Sequence, residues 1–249
     1  MSVPAIEVHP DPGLLARAAA ERIVIACRQA LEERETFALC LAGGSTPRAL
    51  YELLAGESFN WRIDWPRVEI FFGDERCVPP EHPESNYGMA RAALLDHVPI
   101  PGDNVYRMKG ELDPEEAARE YGQMLKERFG DAGGLDMLLL GMGDDGHTLS
   151  LFPRTSALGE TKHRCVANFV PKLDGGAGAW RITLTAPFAN RSREALALVA
   201  GAGKADAVRE VLEGDGDPLD YPIKLIDPGE GRFTMLLDSA AAGMETQGE

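Results

Sequence analysis

Leu138-Leu139-Leu140-Gly141-Met142-Gly143-Asp144-Asp145-Gly146-His147-Thr148-Leu149-Ser150-Leu151-Phe152-Pro153 decides both the architecture and the place to look for chemistry. Its opening, part of the apolar run Leu135 to Leu140, has no polar face and reads as a strand buried on both sides. Gly141, Gly143 and Gly146 then match the G-x-G-x-x-G pattern of dinucleotide-binding turns. Two features oppose that match. Asp144 and Asp145 would put carboxylates where a pyrophosphate must lie, and Pro153 leaves little room for the long helix such a turn opens. As a loop that presents His147, the segment makes chemical sense: an imidazole titrates at about pH 6.5 and can accept a proton at neutrality. Asp145 or Asp144 can fix its tautomer.

Outward from that strand, similar short apolar runs recur at Phe37 to Ala42, Val68 to Phe72, Ile182 to Thr185, Ala195 to Ala200 and Phe233 to Leu237. Between them, Leu14 to Leu31, Arg48 to Leu54, Glu115 to Phe129 and Ala205 to Leu212 carry helical spacing. Strands alternating with helices predict an α/β fold: one Rossmann-like domain over residues 1–249, with a mostly parallel sheet flanked by helices on both faces. Asp174 to Gly178 and Gly214 to Pro218 read as surface loops, and the tail after Ser239 is expected to fray.

The 249 residues carry 40 acidic against 25 basic side chains, a net charge of -15. That field repels nucleic acid and anionic membranes, so neither is an expected partner, and no obligate protein partner is evident. No stretch approaches the roughly 18 uninterrupted apolar residues of a membrane helix, and Met1 to Leu15 lacks a basic start and an apolar signal core. Cys27, Cys40, Cys77 and Cys165 form no CxxC pair and no cluster with histidine, so neither a metal site nor a disulfide framework is expected. A cytoplasmic protein is the expectation. A phosphorylated substrate would need arginines and lysines that converge and reverse the local potential.

In an open parallel sheet ligands bind beyond the carboxyl ends of the strands, and the sequence supplies charge there. After the first run, Gly43-Gly44-Ser45-Thr46-Pro47 can start an anion-ready helix, with Ser45 or Thr46 as cap and Pro47 suited to its first position; it lacks the lysine and spacing of a Walker loop. After the second comes Gly73-Asp74-Glu75-Arg76, where Arg76 can fork onto a phosphate, held by its acidic neighbours. Arg181 opens the Ile182 to Thr185 strand. Lys204, in Gly201-Ala202-Gly203-Lys204, opposes a helix dipole, which makes better sense with an anion between them. His9, His82, His97 and His163 are expected to be structural, and Cys77 lacks a histidine partner for nucleophilic work.

Taken in order, Leu41 to Pro47, Asp74 to Arg76, Ser85-Asn86, Gly141 to His147 with Leu151-Phe152-Pro153, Arg181 to Thr185 and Gly203-Lys204 resemble the 6-phosphogluconolactonase family across about residues 37 to 212. The resemblance implies hydrolysis of 6-phospho-D-glucono-1,5-lactone in the pentose phosphate pathway, without metal or organic cofactor. It implies His147 as general base with Asp145 beside it, and Gly43, Gly44, Ser45, Thr46, Asp74, Arg76, Asn86, Arg181 and Lys204 as substrate contacts. One departure is visible: the family usually has alanine where this chain has Leu149. The rival within the same fold, the glucosamine-6-phosphate deaminases, carries Asn-Glu-Pro where this chain has Leu151-Phe152-Pro153, and a phenylalanine cannot relay protons. A rival of another class, a non-catalytic sugar-phosphate sensor, would not need the Asp145-Gly146-His147 constellation. An ordinary histidine base predicts an activity limb through roughly pH 6 to 7.

Overall fold

Strands that read as unbroken apolar runs need cover on both faces, and that requirement organises the molecule. The computed structural model describes residues 4–244. In chain order its elements are β1 (Ala5–His9), α1 (Pro12–Glu33), β2 (Phe37–Leu41), α2 (Ser45–Ala55), β3 (Val68–Phe72), β4 (Asp74–Arg76), α3 (Asn86–Ala93), α4 (Pro114–Phe129), β5 (Met137–Leu140), β6 (Cys165–Val170), β7 (Ala179–Leu184), α5 (Ala186–Ala189), β8 (Glu194–Val199), α6 (Ala205–Leu212) and β9 (Arg232–Asp238). Six strands form a wholly parallel sheet in the order β1-β9-β8-β5-β2-β3. β2, β3, β5 and β8 are buried at every residue, so helices flank both faces.

The helices start where backbone donors are satisfied. Asp11 caps α1 by accepting from the Leu14 amide at 2.8 Å, with Pro12 in the first position, and the buried stripe Leu15, Ala16, Ala19, Ala20, Ile23, Val24, Cys27 and Ala30 follows the helical period. Asp113 caps α4 by accepting from the Glu115 and Glu116 amides, and Pro114 again follows the cap. α2 departs from the sequence reading. Neither Ser45 nor Thr46 caps it: both lie inside the first turn with Pro47 third rather than first, Gly44 is the N-cap residue at φ 106°, and no side chain bonds there. Only glycine adopts that backbone without strain.

A second, three-stranded sheet in the order β4-β7-β6 is antiparallel throughout and was not foreseen. β3 ends at Phe72, Gly73 carries the chain out of the main sheet, and β4 then pairs with β7. A Cβ at Gly73 would meet Leu149 at 2.6 Å. The run placed at Ile182 to Thr185 is the second half of β7, so Arg181 sits within the strand rather than opening it. Asp174 to Gly178 is the turn between β6 and β7, and Gly214 to Pro218 is a loop, as read. The tail differs up to Met244: Ala241 is fully buried and its amide donates to Asp238 at 2.7 Å. Residues 245–249 lie outside the described residues. Among the described residues no helix is long and apolar enough to cross a membrane.

Candidate active site

The chain runs from β2 outward to β3, then crosses back to place β5 on the other side of β2. The crevice beyond the carboxyl ends of β2 and β5 is therefore the switch point where open α/β sheets bind ligands. A cleft of about 350 Å³ lies there, lined by the ends of both strands and by side chains from β4, β7 and the segment before α6. His147, Gly43, Gly44, Asp74, Arg76, Asn86, Arg181 and Lys204 all line it; Ser45, Thr46 and Asp145 do not.

The loop after β5 closes on itself before it reaches the cleft. The Gly143 amide donates to the His147 carbonyl at 2.8 Å and the Gly146 amide to the Gly143 carbonyl at 3.0 Å, with Gly146 at φ 71°. Asp145 Oδ1 takes the His147 backbone amide at 3.2 Å and lies 2.6 Å from His147 Nδ1. A carboxylate acceptor there keeps the proton on Nδ1 and leaves Nε2 as the basic nitrogen. Gly143 makes this possible: a Cβ would meet Nδ1 at 2.0 Å and Asp145 Oδ1 at 2.7 Å. Of the two acidic candidates, Asp145 holds the ring, while Asp144 pairs with Lys204 at 2.5 Å. Phe152 stacks on the imidazole with centroids 4.0 Å apart.

Burial pushes His147 down to about 4; Lys204 and Arg181 push the same way, and Asp74 and Asp144 pull against them. Against the limb through pH 6 to 7 expected of an ordinary histidine base, burial in this crevice moves the expected limb to lower pH. The imidazole is neutral at pH 7.

The positive side of the cleft is built by register. β4 and β7 pair so that Arg76 stands directly opposite Arg181. Burial and then Arg76 depress the Arg181 guanidinium, while Asp74 and Glu84 pull the other way, so the two cations repel each other across the strand pair. Among the described residues no acidic side chain holds Arg76 as its neighbours implied; its guanidinium donates to the Glu84 carbonyl. Glu75 turns inward, where its carboxylate accepts from the amides of Arg76, Asn86 and Tyr87 at 2.7–2.8 Å and from the Ser85 hydroxyl. That anchors the start of α3. Asn86 donates to the backbone carbonyl and Oδ1 of Asp74 and fills the space a Cβ on Gly43 would take, at 2.0 Å. Gly43 thus makes room for Asn86.

Ser150 was not singled out in the sequence. Its hydroxyl donates to Asp74 Oδ2 at 2.5 Å, its amide to Thr183, and its carbonyl accepts from Asn168, so it ties the loop to the second sheet. Spacing alone marked it, three residues beyond His147. Leu149 takes a left-handed backbone at φ 53° and covers Gly73. Lys172 was also missed, for want of any local signal. At the far end Asp238 accepts the Gly201 amide and fixes the segment that carries Lys204. Burial pushes the Cys77 thiol up to about 11, which removes it as a nucleophile at neutral pH. Among the described residues no group of three His, Cys, Asp or Glu side chains is gathered to hold a metal.

Residues 10–235 match the family model of glucosamine-6-phosphate isomerases/6-phosphogluconolactonase. The chain belongs to that family. A relative from Nostoc sp., named 6-phosphogluconolactonase, is 40% identical over 245 residues, covering 96% of this chain and 97% of its own. The structure of 6-phosphogluconolactonase from Trypanosoma brucei superposes with a TM-score of 0.84 at 31% identity, over 97% of this chain and 99% of the other. A monomeric glucosamine-6-phosphate deaminase superposes nearly as well, with a TM-score of 0.82 at 22% identity over 97% and 100% of the two chains, which speaks for the fold alone.

Proposed function

We propose that this protein hydrolyses 6-phospho-D-glucono-1,5-lactone to 6-phospho-D-gluconate, the step the resemblance assigns to the pentose phosphate pathway. The observation that carries the reading is the neutral imidazole of His147, held through Nδ1 by Asp145 in a cleft whose lining also carries Arg76, Arg181 and Lys204. The family includes isomerases, and its fold does not separate them from lactonases. The residue beside the proposed base favours the lactonase reading. Phe152 offers the imidazole an apolar face, and it cannot pass a proton to or from a ring oxygen as a carboxylate would.

In the proposed reaction His147 Nε2 takes a proton from water as its oxygen attacks the lactone carbonyl. The tetrahedral oxyanion forms beside cationic and backbone donors. Collapse breaks the bond from the carbonyl carbon to the ring oxygen, the imidazolium returns its proton to that oxygen, and the free acid ionises. Arg76 and Arg181 together suit a phosphate dianion, which relieves their mutual repulsion and binds through planar forks. Gly44 and the first turn of α2 supply backbone donors nearby, and Asp74 is an acceptor for a sugar hydroxyl. Such a base supplies about 10²- to 10⁴-fold.

The test is hydrolysis of freshly generated lactone with the spontaneous rate subtracted and His147→Asn run in parallel. Acceleration by the wild type and not by the variant supports both activity and base. If neither exceeds background while a sugar phosphate still binds, the sensor reading replaces this one; release of ammonia from glucosamine 6-phosphate would favour the isomerase.

A further inference from the structure

Lys172 lies on the turn from β6 to β7, in Val170-Pro171-Lys172-Leu173, and its surroundings in sequence give it no chemical role. Its ammonium contacts Oδ2 of Asp145, while Oδ1 of the same carboxylate holds His147 Nδ1. It also stands 5.2 Å from the centroid of Phe152, the ring stacked on the imidazole. The turn is pinned at the next residue: the Leu173 carbonyl accepts the amides of Gly176 and Gly178, each 3.0 Å away, and Leu173 lines the cleft. From the second sheet, then, one cation reaches both groups that fix the imidazole.

We propose that Lys172 is a positioning residue for His147, acting through Asp145, so that the β6–β7 turn completes the site. This rests on reading His147 as the base. A carboxylate gripped at one oxygen can rotate about its last torsion and let the ring tilt; gripped at both, its plane is set. As a stabilising ion pair the contact is worth little, since Lys172 is 51% and Asp145 31% exposed. Its effect is orientation and field. The ammonium offsets the pull of Asp145 on a proton at the imidazole and so favours the neutral ring. The other charged groups around the ring are Asp144 on the same loop, Asp74 on β4, Arg181 on β7 and Lys204 before α6.

The experiment compares wild type, Lys172→Met and Lys172→Arg in two readouts: steady-state lactone hydrolysis against pH, and titration of the His147 ring by NMR. In Lys172→Met, kcat is expected to fall about tenfold or more with KM nearly unchanged, the cost of a misaimed base. Both the acidic limb of kcat/KM and the ring titration should move up by about half a unit to one unit, and Lys172→Arg should restore all three. A rise in KM with kcat intact would make Lys172 a substrate contact and overturn the proposal. So would a ring titration that does not move, the behaviour of a surface lysine. Because the titration needs no turnover, it judges the Lys172 contact even if the wild type proves not to hydrolyse the lactone.

Discussion

Two glycine-rich strand ends flank the same crevice, and they use glycine for different purposes. After β2, Gly43 and Gly44 lead straight into α2; Gly44 takes a positive φ, while Gly43 leaves the space that Asn86 fills. After β5, Gly141, Gly143 and Gly146 open no helix. They fold into a tight turn in which Gly143 admits the His147 ring and its carboxylate partner. In sequence both resemble an anion-binding turn. What separates them is the residue each glycine must accommodate: a cleft-lining asparagine tied to Asp74 in one, a candidate base in the other.

The largest effect should come from the β5 loop. His147→Asn is expected to lower kcat by about 10²- to 10⁴-fold with KM little changed, since the amide cannot take the proton yet fits the space. Steady-state kinetics on the lactone decide it; a large rise in KM with kcat intact would instead make His147 a binding residue.

Next come the two glycines themselves. Gly143→Ala should cost about 10²-fold in kcat, because its methyl collides with Nδ1 and must push the ring off its position. Gly43→Ala displaces Asn86, and through it Asp74, so its main effect should be on stability, about 1–3 kcal/mol from overpacking. Denaturant unfolding and kinetics on both variants compare the two ends directly. If Gly43→Ala loses turnover without losing stability, the distinction between the two turns fails.

A smaller effect is expected on the cationic wall. Arg181→Gln should raise KM roughly tenfold, on the scale of one lost charge-assisted contact, with kcat less affected. Inorganic phosphate should raise the Tm of the wild type and do so less for the variant, because an anion relieves the Arg76–Arg181 confrontation. Equal stabilisation of both by phosphate would move the phosphate site away from this pair.

The main sheet was legible because burial on both faces leaves a mark in composition: β3 falls where Val68 to Phe72 was read, and β2, β5 and β8 differ by only a residue or two. The second sheet left no such mark. β4 is three charged residues that become a strand only by pairing with β7, and β6 mixes buried, half-buried and exposed positions without a regular period that local pattern could reveal. β1, at the sheet edge, is mostly exposed and was missed for the same reason. The candidate site follows this division. His147 and Asp145, neighbours on one loop, could be paired from sequence. The opposition of Arg76 and Arg181, the Ser150–Asp74 bond and the reach of Lys172 depend on tertiary register, which no local motif encodes.

The gentlest test of the comparison is pH. A histidine on an open turn would lose activity as pH falls through about 6.5. His147, pushed down by burial to about 4, should keep its free-enzyme activity well below that, with the limb of kcat/KM nearer 4 to 5. The sign for stability follows from the same shift. Between those values the unfolded chain binds a proton at this histidine and the folded chain does not, so stability is lost as pH falls from about 6.5 towards 4. His147→Asn removes that component and should flatten the pH dependence of unfolding in this window. The ring is 27% exposed, so solvent screens part of the effect. A bound phosphate dianion favours the imidazolium and should lift the limb of kcat above that of kcat/KM. Coincident limbs near 6.5 would mean that the crevice admits water to the ring, and the β5 turn would then present its histidine no more dryly than a surface loop does.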